Sequence, residues 1–327
     1  MLNISAALQE RGELERVLFI TLLSLPCSLF LLVNGVLLFT LTSKVVFRET
    51  PRYVLLYNLL LADTVHLVHA QLMYVLATCR VMLTFPVCGV LVTLASLVNE
   101  ICPLTLVLMS VERYVAVCFP LRHASLVTLT NTGASICAVW ALSFLHVAMR
   151  LVFMFDFPFE ALDSLQMDMI CSSENMMIGS LSDQYNKVYS YMVMTVAAVV
   201  IGCSYVGVVL AARSASADKA SALKARKTLL LHLVQLCLSL CSMLYSFTTK
   251  LLASIILDRA TLSRIKTSLY VCIQLLPRCL SALIYGLRDS RIRPILLFYL
   301  CCGLKLRVVT AEPLTPNPVC HSGILLS

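Results

Sequence analysis

Seven stretches of this chain, each long enough to cross a bilayer as a helix, carry at most one acid, lysine or arginine apiece. They run from Val17 to Ser43, Tyr53 to Thr78, Pro86 to Ser110, Asn131 to Met149, Val188 to Ala212, Thr228 to Thr249, and Thr267 to Leu287. A spanning helix needs about 20 predominantly apolar residues. Inside hydrocarbon the backbone must satisfy its own hydrogen bonds, and stretches this long do so as helices rather than strands. Composition points the same way: 60% of residues are hydrophobic and 13% charged, where soluble domains carry about a quarter charged. The expected fold is an all-α membrane protein, a seven-transmembrane helix bundle with a short amphipathic helix after the seventh span.

Charges sort by side. The first, third and fifth gaps plus the tail hold 15 bases against five acids, whereas the opposite set, with the N-terminus, holds nine bases and 10 acids. Basic loops are retained in the cytoplasm. The N-terminus is therefore expected outside and the C-terminus inside, and the formal net charge of +8 reflects topology rather than nucleic-acid binding. The expected layout is an extracellular N-terminus over 1–16, a helical bundle over 17–287, an amphipathic juxtamembrane helix over 288–303 and a cytoplasmic tail over 304–327. No cleavable signal peptide is expected ahead of the first span, because the opening residues lack a short apolar core. Asn3-Ile4-Ser5 fits the glycosylation acceptor pattern. Between Phe155 and Asn186 lies an acidic external loop, a candidate lid over the bundle.

Most of the 15 cysteines fall in apolar spans, where they act as small hydrophobes. Cys79, Cys88 and Cys171 fall on the oxidising side. A Cys88–Cys171 bridge would pin the long loop over the helix tops, and Cys79 is the alternative partner. Cys301-Cys302 follow a basic stretch just inside the membrane, a setting suited to palmitoylation.

The third span ends in Met109-Ser110-Val111-Glu112-Arg113-Tyr114-Val115-Ala116-Val117-Cys118-Phe119-Pro120-Leu121-Arg122-His123. With seven spans, this run resembles the rhodopsin-like G-protein-coupled receptors, and within them the odorant receptors. Asn34, Leu59 to Asp63, Cys88 with Cys171, Trp140, and the Lys224 to His232 stretch fall where that family keeps such residues. The end of the last span, Leu276 to Asp289, is similar to the 131-2 group of fish odorant receptors. The resemblance implies a plasma-membrane receptor for a small-molecule odorant, with a heterotrimeric G protein and membrane lipids as partners. It implies no cofactor, no metal, no nucleic acid and no enzymatic activity. Glu112, Arg113, Tyr114, Pro120, Leu121, Tyr205 and Tyr285 would form the coupling switch. A non-olfactory receptor of the same fold, for a peptide or small molecule, is the alternative, with a transporter behind it. The chain departs from the family at Ser281-Ala282, where Asn-Pro is usual, and in the sixth span, which lacks proline and tryptophan and has Leu240 in place of an aromatic. Pro277 is a candidate for the missing bend, one turn higher.

Three charges lie inside the windows: Asp63, Glu100 and Arg278. Each costs on the order of 2.5–3.5 kcal/mol on insertion scales, so they should face inward and find partners. Helical spacing joins Tyr270, Gln274, Arg278, Ser281 and Tyr285 into one polar stripe, and Asp63 and His66 into another. Arg278 is expected to pair with Asp63, filling the place where related receptors hold sodium, and Glu100 is its rival partner. Asn34 and Ser281 complete the expected intramembrane polar network. Val92, Ser96 and Asn99 should face a ligand pocket in the outer half, with Tyr245, Tyr270 and Gln274 as opposite walls. His66 and His69 have metal-ligand spacing but no evident third ligand, and read as packing. No metalloprotease, nucleotide-loop or dinucleotide pattern is present.

Overall fold

The computed structural model describes residues 2–155, 166–167, 171–172, 176, 180–214, 230, 234, 237–238, 245–256 and 258–305. These residues are helical and turn structure, apart from one isolated antiparallel bridge, Thr84 to Gln166. The chain runs through α1 (Leu2–Ser43), α2 (Val45–Arg48), α3 (Pro51–Thr78), α4 (Phe85–Cys118), α5 (Pro120–Leu126), α6 (Leu129–Phe155), α7 (Ser180–Ser214), α8 (Tyr245–Ile255) and α9 (Arg259–Leu269). A π-helical turn, Tyr270–Leu275, then leads into α10 (Leu276–Arg288), and α11 (Arg293–Lys305) follows.

Among the described residues, six stretches are long and apolar enough to cross a membrane: Ser24–Ser43, Pro51–Thr78, Phe85–Cys118, Leu129–Phe153, Leu181–Ala211 and Arg264–Leu287. Most of the expected span over 228–249 lies outside the described residues, as do the Lys219 to Lys227 loop, His232 and Leu240. Several limits differ from expectation for one reason: apolar windows stop at a charge, and helices do not. The α4 helix continues past Ser110 to Cys118, which places Glu112-Arg113-Tyr114 inside it. Arg150, expected just outside the membrane, lies within the Leu129–Phe153 span. The α7 helix starts before Val188, and Asp183 and Lys187 pair across one of its early turns at 2.6 Å. Residues 2–16, expected as a separate tail carrying Asn3, continue α1 toward its start.

Local chemistry sets the helix starts. Pro51, Pro86 and Pro120 each sit in a first turn, where the missing N–H removes no helical bond. The end of α3 turns at Arg80, left-handed with φ 53°, and Val81 N–H closes the turn onto Leu76 O at 2.9 Å.

Polarity is distributed as lipid solvent demands. Leu25, Val90 and Val188 are at least 68% exposed, while Asn34, Asp63, Glu100, Arg278 and Ser281 are buried. The apolar core joins Leu37 of α1, Leu59 and Leu60 of α3, Ile101 and Leu106 of α4, Val139 of α6, Ala197 of α7 and Ala282 of α10. Leu296 of α11 is fully buried in that core, and Phe298 and Tyr299 on the same helix are exposed. At the other end, Met167, Cys171 and Met176 from the 156–179 segment pack on Cys88 and Val92. This end is tied by the Cys88–Cys171 disulfide and by Met167 N–H to Leu83 O at 3.1 Å. Cys79 is a free, exposed thiol.

Candidate functional site

Three polar assemblies lie along the bundle. In the middle, Asp63 of α3 faces α10. Arg278 Nη1 donates to Asp63 Oδ1 at 3.2 Å, and Ser281 Oγ lies 2.7 Å from Asp63 Oδ2. Arg278 Nη2 donates to Asn99 Oδ1 of α4 at 2.7 Å. Cys102 completes the ring, 3.2 Å from Asp63 Oδ1 and 3.0 Å from Arg278 Nη1. Asp63 is 3% and Arg278 5% exposed. A charge pair so deeply buried holds only when its remaining donors and acceptors are satisfied, and Ser281, Asn99 and Cys102 do this for most of them.

Arg278 gets there because the last span is not a regular α-helix. Pro277 has no N–H and its ring presses on the preceding turn, and the helix just before it widens into the π turn Tyr270–Leu275. Past the π turn, Arg278, Ser281 and Tyr285 all face inward. Beside this site, Asn58 links three helices: its Nδ2 donates to Thr105 Oγ1 at 2.8 Å, and its Oδ1 accepts from Trp140 Nε1 at 3.0 Å. Asn34 is fully buried, with neither amide atom hydrogen-bonded.

At the Arg113 end, Arg113 Nε meets Glu112 Oε2 at 3.2 Å, and His123 Nε2 lies 3.7 Å from Glu112 Oε1. Glu112 is buried, and the Asp289 carboxylate adds negative potential at Arg113. Tyr114 lays its ring against Gly207 of α7 and edge-on to Phe119 at 5.8 Å. Tyr205, also on α7, is half-buried. Leu121 on α5 is 98% exposed, and Pro120 beside it is also exposed. Asp289 accepts from Tyr53 Oη at 3.1 Å, pairs with Arg52 at 3.4 Å, and caps the approach to α11 by accepting from Arg291 N–H at 2.9 Å.

At the Cys88 end, a small cleft, partly open to solvent, lies between α4, α6 and α7. Val92, Thr93, Ser96, Val147, Arg150, Met176 and Ser182 are among its walls. Arg150 Nη1 donates to Ser96 Oγ, which itself donates to Val92 O at 2.8 Å.

A family model described as 7 transmembrane receptor (rhodopsin family) matches residues 33–285. The chain belongs to that family. It is also 30% identical, over 302 residues, to Odorant receptor 131-2 of Danio rerio, an alignment covering 92% of this chain and 89% of that relative. The chain is thus a multi-pass membrane receptor and not an enzyme.

The receptor distributes the expected residues unevenly. Asp63, Arg278 and Ser281 converge, but Glu100 is not in their ring; its electrostatic partner is Arg150. Of the expected ligand residues, Val92 and Ser96 line the α4–α6–α7 cleft, whereas Asn99 is bonded to Arg278. Tyr245 and Tyr270 meet edge to face at 5.8 Å away from that cleft, and Gln274 is buried in the π turn. Cys301 and Cys302 lie on α11. Arg150, His146, Tyr185 and Tyr189 were not singled out from sequence. An arginine one residue beyond an apolar window, four residues from a histidine, is the signal that could have found two of them.

Proposed function

We propose that this protein is a chemosensory, odorant-type receptor of the plasma membrane, with its N-terminus outside and its C-terminus in the cytoplasm. A small molecule binds between the outer halves of the helices, and a heterotrimeric G protein is activated at the opposite face. The observation that carries the reading is the pairing of Arg113 with the buried Glu112 at the inner end of α4, set in the Met109 to His123 run. An arginine held by a neighbouring carboxylate can exchange that partner for another acceptor. Ligand binding that favours the exchanged state shifts the population toward it.

The wider assignments follow from this. Tyr114, Tyr205 and Tyr285 surround the arginine's route, and the exposed Pro120–Leu121 corner offers an apolar contact to the G protein. The stretch over 228–249 supplies the seventh of the spanning helices, and α11 lies along the inner leaflet with Cys301 and Cys302 placed for acylation. Asn3 carries the external glycan, and Cys88–Cys171 braces the entrance. Asn34, Asp63, Glu100, Arg278 and Ser281 carry the polar connection between the two faces.

The test is a cAMP screen of cells expressing the chain against amino acids, bile-type steroids and small organics. A saturable response that Arg113→Ala abolishes at unchanged surface expression supports the reading. An agonist response identical in wild type and Arg113→Ala overturns the role of Arg113, and a response that persists without G protein overturns the receptor mechanism.

A further inference from the structure

Arg150 lines the cleft between α4, α6 and α7, and Glu100, of opposite charge, lies beyond its wall on α4; neither belongs to the Asp63–Arg278 ring. Glu100 lies one turn from Ser96 along α4, on the same face. It is 6% exposed, and its Oε2 is buried without a hydrogen bond. A carboxylate in that state lacks the compensation that buried charges require. Arg150 lines the cleft from α6, is bonded to Ser96 and feels the field of Glu100. Around the acid stand aromatic groups. His146 stacks on Tyr189 with ring centres 3.6 Å apart, its Nδ1 lies 3.4 Å from Tyr185 Oη, and its Nε2 is buried without a partner. Both tyrosines lie within the electrostatic reach of Glu100. The remaining walls, Val92, Val147, Leu151 and Met176, are apolar.

We propose that this cleft binds a small zwitterion, an α-amino acid or similar amino-carboxylate. Its ammonium pairs with Glu100 beside the Tyr185 and Tyr189 rings, and its carboxylate joins the Arg150 and Ser96 contacts. The side chain lies against Val92, Val147 and Met176. This deepens the small-molecule reading above and rests on it. A lone amine would satisfy Glu100 but crowd the guanidinium, and a lone acid would do the reverse. A zwitterion answers both and brings no net charge into the bilayer. Arginine has five N–H donors, so a carboxylate can add to its existing bonds. Tyrosine faces beside the acid suit an ammonium through the ring quadrupole.

The experiment uses the purified full-length chain in lipid nanodiscs, with thermal unfolding as readout, so that it needs no G protein and fails separately from the signalling assay. The standard amino acids are titrated first. The best of them is then compared with its decarboxylated amine and its deaminated acid. At least one amino acid should stabilise the protein saturably, and each analogue should bind about 30-fold or more weakly, as expected when one partner of a buried charge pair is removed. In Arg150→Gln the amino acid and its amine should become equivalent, and in Glu100→Gln the amino acid and the acid should. No stabilisation by any amino acid, an analogue binding as tightly as its parent, or gaps unchanged in both variants would each overturn the proposal.

Discussion

At the scale of single residues, the Asp63–Arg278 contact decides most. Both groups are buried, and removing either leaves the other as an uncompensated charge, a loss of about 3–5 kcal/mol in comparable sites. Asp63→Asn and Arg278→Gln should therefore each lower the thermal stability of purified receptor sharply, and the double variant should lose far less than the sum. Strict additivity would show that the two charges are not coupled. A second prediction follows from the cation's identity. Arg278→Ala vacates positive charge beside Asp63, Ser281 and Cys102, so sodium chloride should stabilise that variant more than choline chloride does, while wild type responds equally to both. This pairing is legible in the sequence because both charges interrupt apolar windows and helical spacing sets their faces. The fate of Asn99 is not: spacing puts it on an inward face but cannot say whether a ligand or Arg278 Nη2 meets it there. Arg150 escaped because it follows directly on an apolar window, and α6 runs five residues beyond it.

Elements meet where side chains give way. Gly207 of α7 lies under the Tyr114 ring, and a Cβ added there would fall inside contact distance of that ring. The rigid aromatic cannot retreat without moving from Phe119, so Gly207→Val should displace α7 from α4, lower stability by about 1–3 kcal/mol as overpacking does, and be partly rescued by Tyr114→Ala. Thermal unfolding of the single and double variants checks this, and equal loss in both backgrounds would refute the contact. Gly286 plays the same part for α10 against Leu37 and Leu296. No periodicity argument marks these glycines, because an approach between helices depends on two sequences at once. The irregularity before Pro277 is different: proline's missing N–H is a local property, so the sequence points to a departure from regular helix there, and the π turn over Tyr270–Leu275 came from the structure. The tether of the 156–179 segment is also an element-scale device. Reducing Cys88–Cys171 releases a closure between residues 83 apart in sequence, and removal of native disulfides costs about 2–5 kcal/mol in small domains. Reductant should therefore lower the unfolding temperature of wild type and leave Cys88→Ser/Cys171→Ser, already lowered, unmoved.

For the whole molecule, charge is the organising variable. With Arg150 counted beside Arg278 among the charges within the bundle, the two arginines balance two acids, Asp63 and Glu100. The net charge of +8 then belongs to the aqueous ends alone, where the Arg113 end is strongly basic and the Cys88 end slightly acidic. Basic loops near spans resist translocation, and an inner leaflet rich in anionic lipid adds about 1 kcal/mol per nearby lysine or arginine. Both effects favour the proposed orientation, with the Arg113 end in the cytoplasm, the side on which its exposed Leu121 would meet a G protein. An epitope at the N-terminus should accordingly stain intact cells, and one at the C-terminus only permeabilised cells. Glycosidase should shift the mass of wild type but not of Asn3→Gln. Replacing the basic cluster Lys219, Lys224, Arg226 and Lys227 by glutamine should raise the fraction of inverted molecules, since it removes four of the 15 bases on that face. Staining of the C-terminus on intact wild-type cells would reverse the assignment of faces, and with it the side on which the Glu100–Arg150 cleft opens.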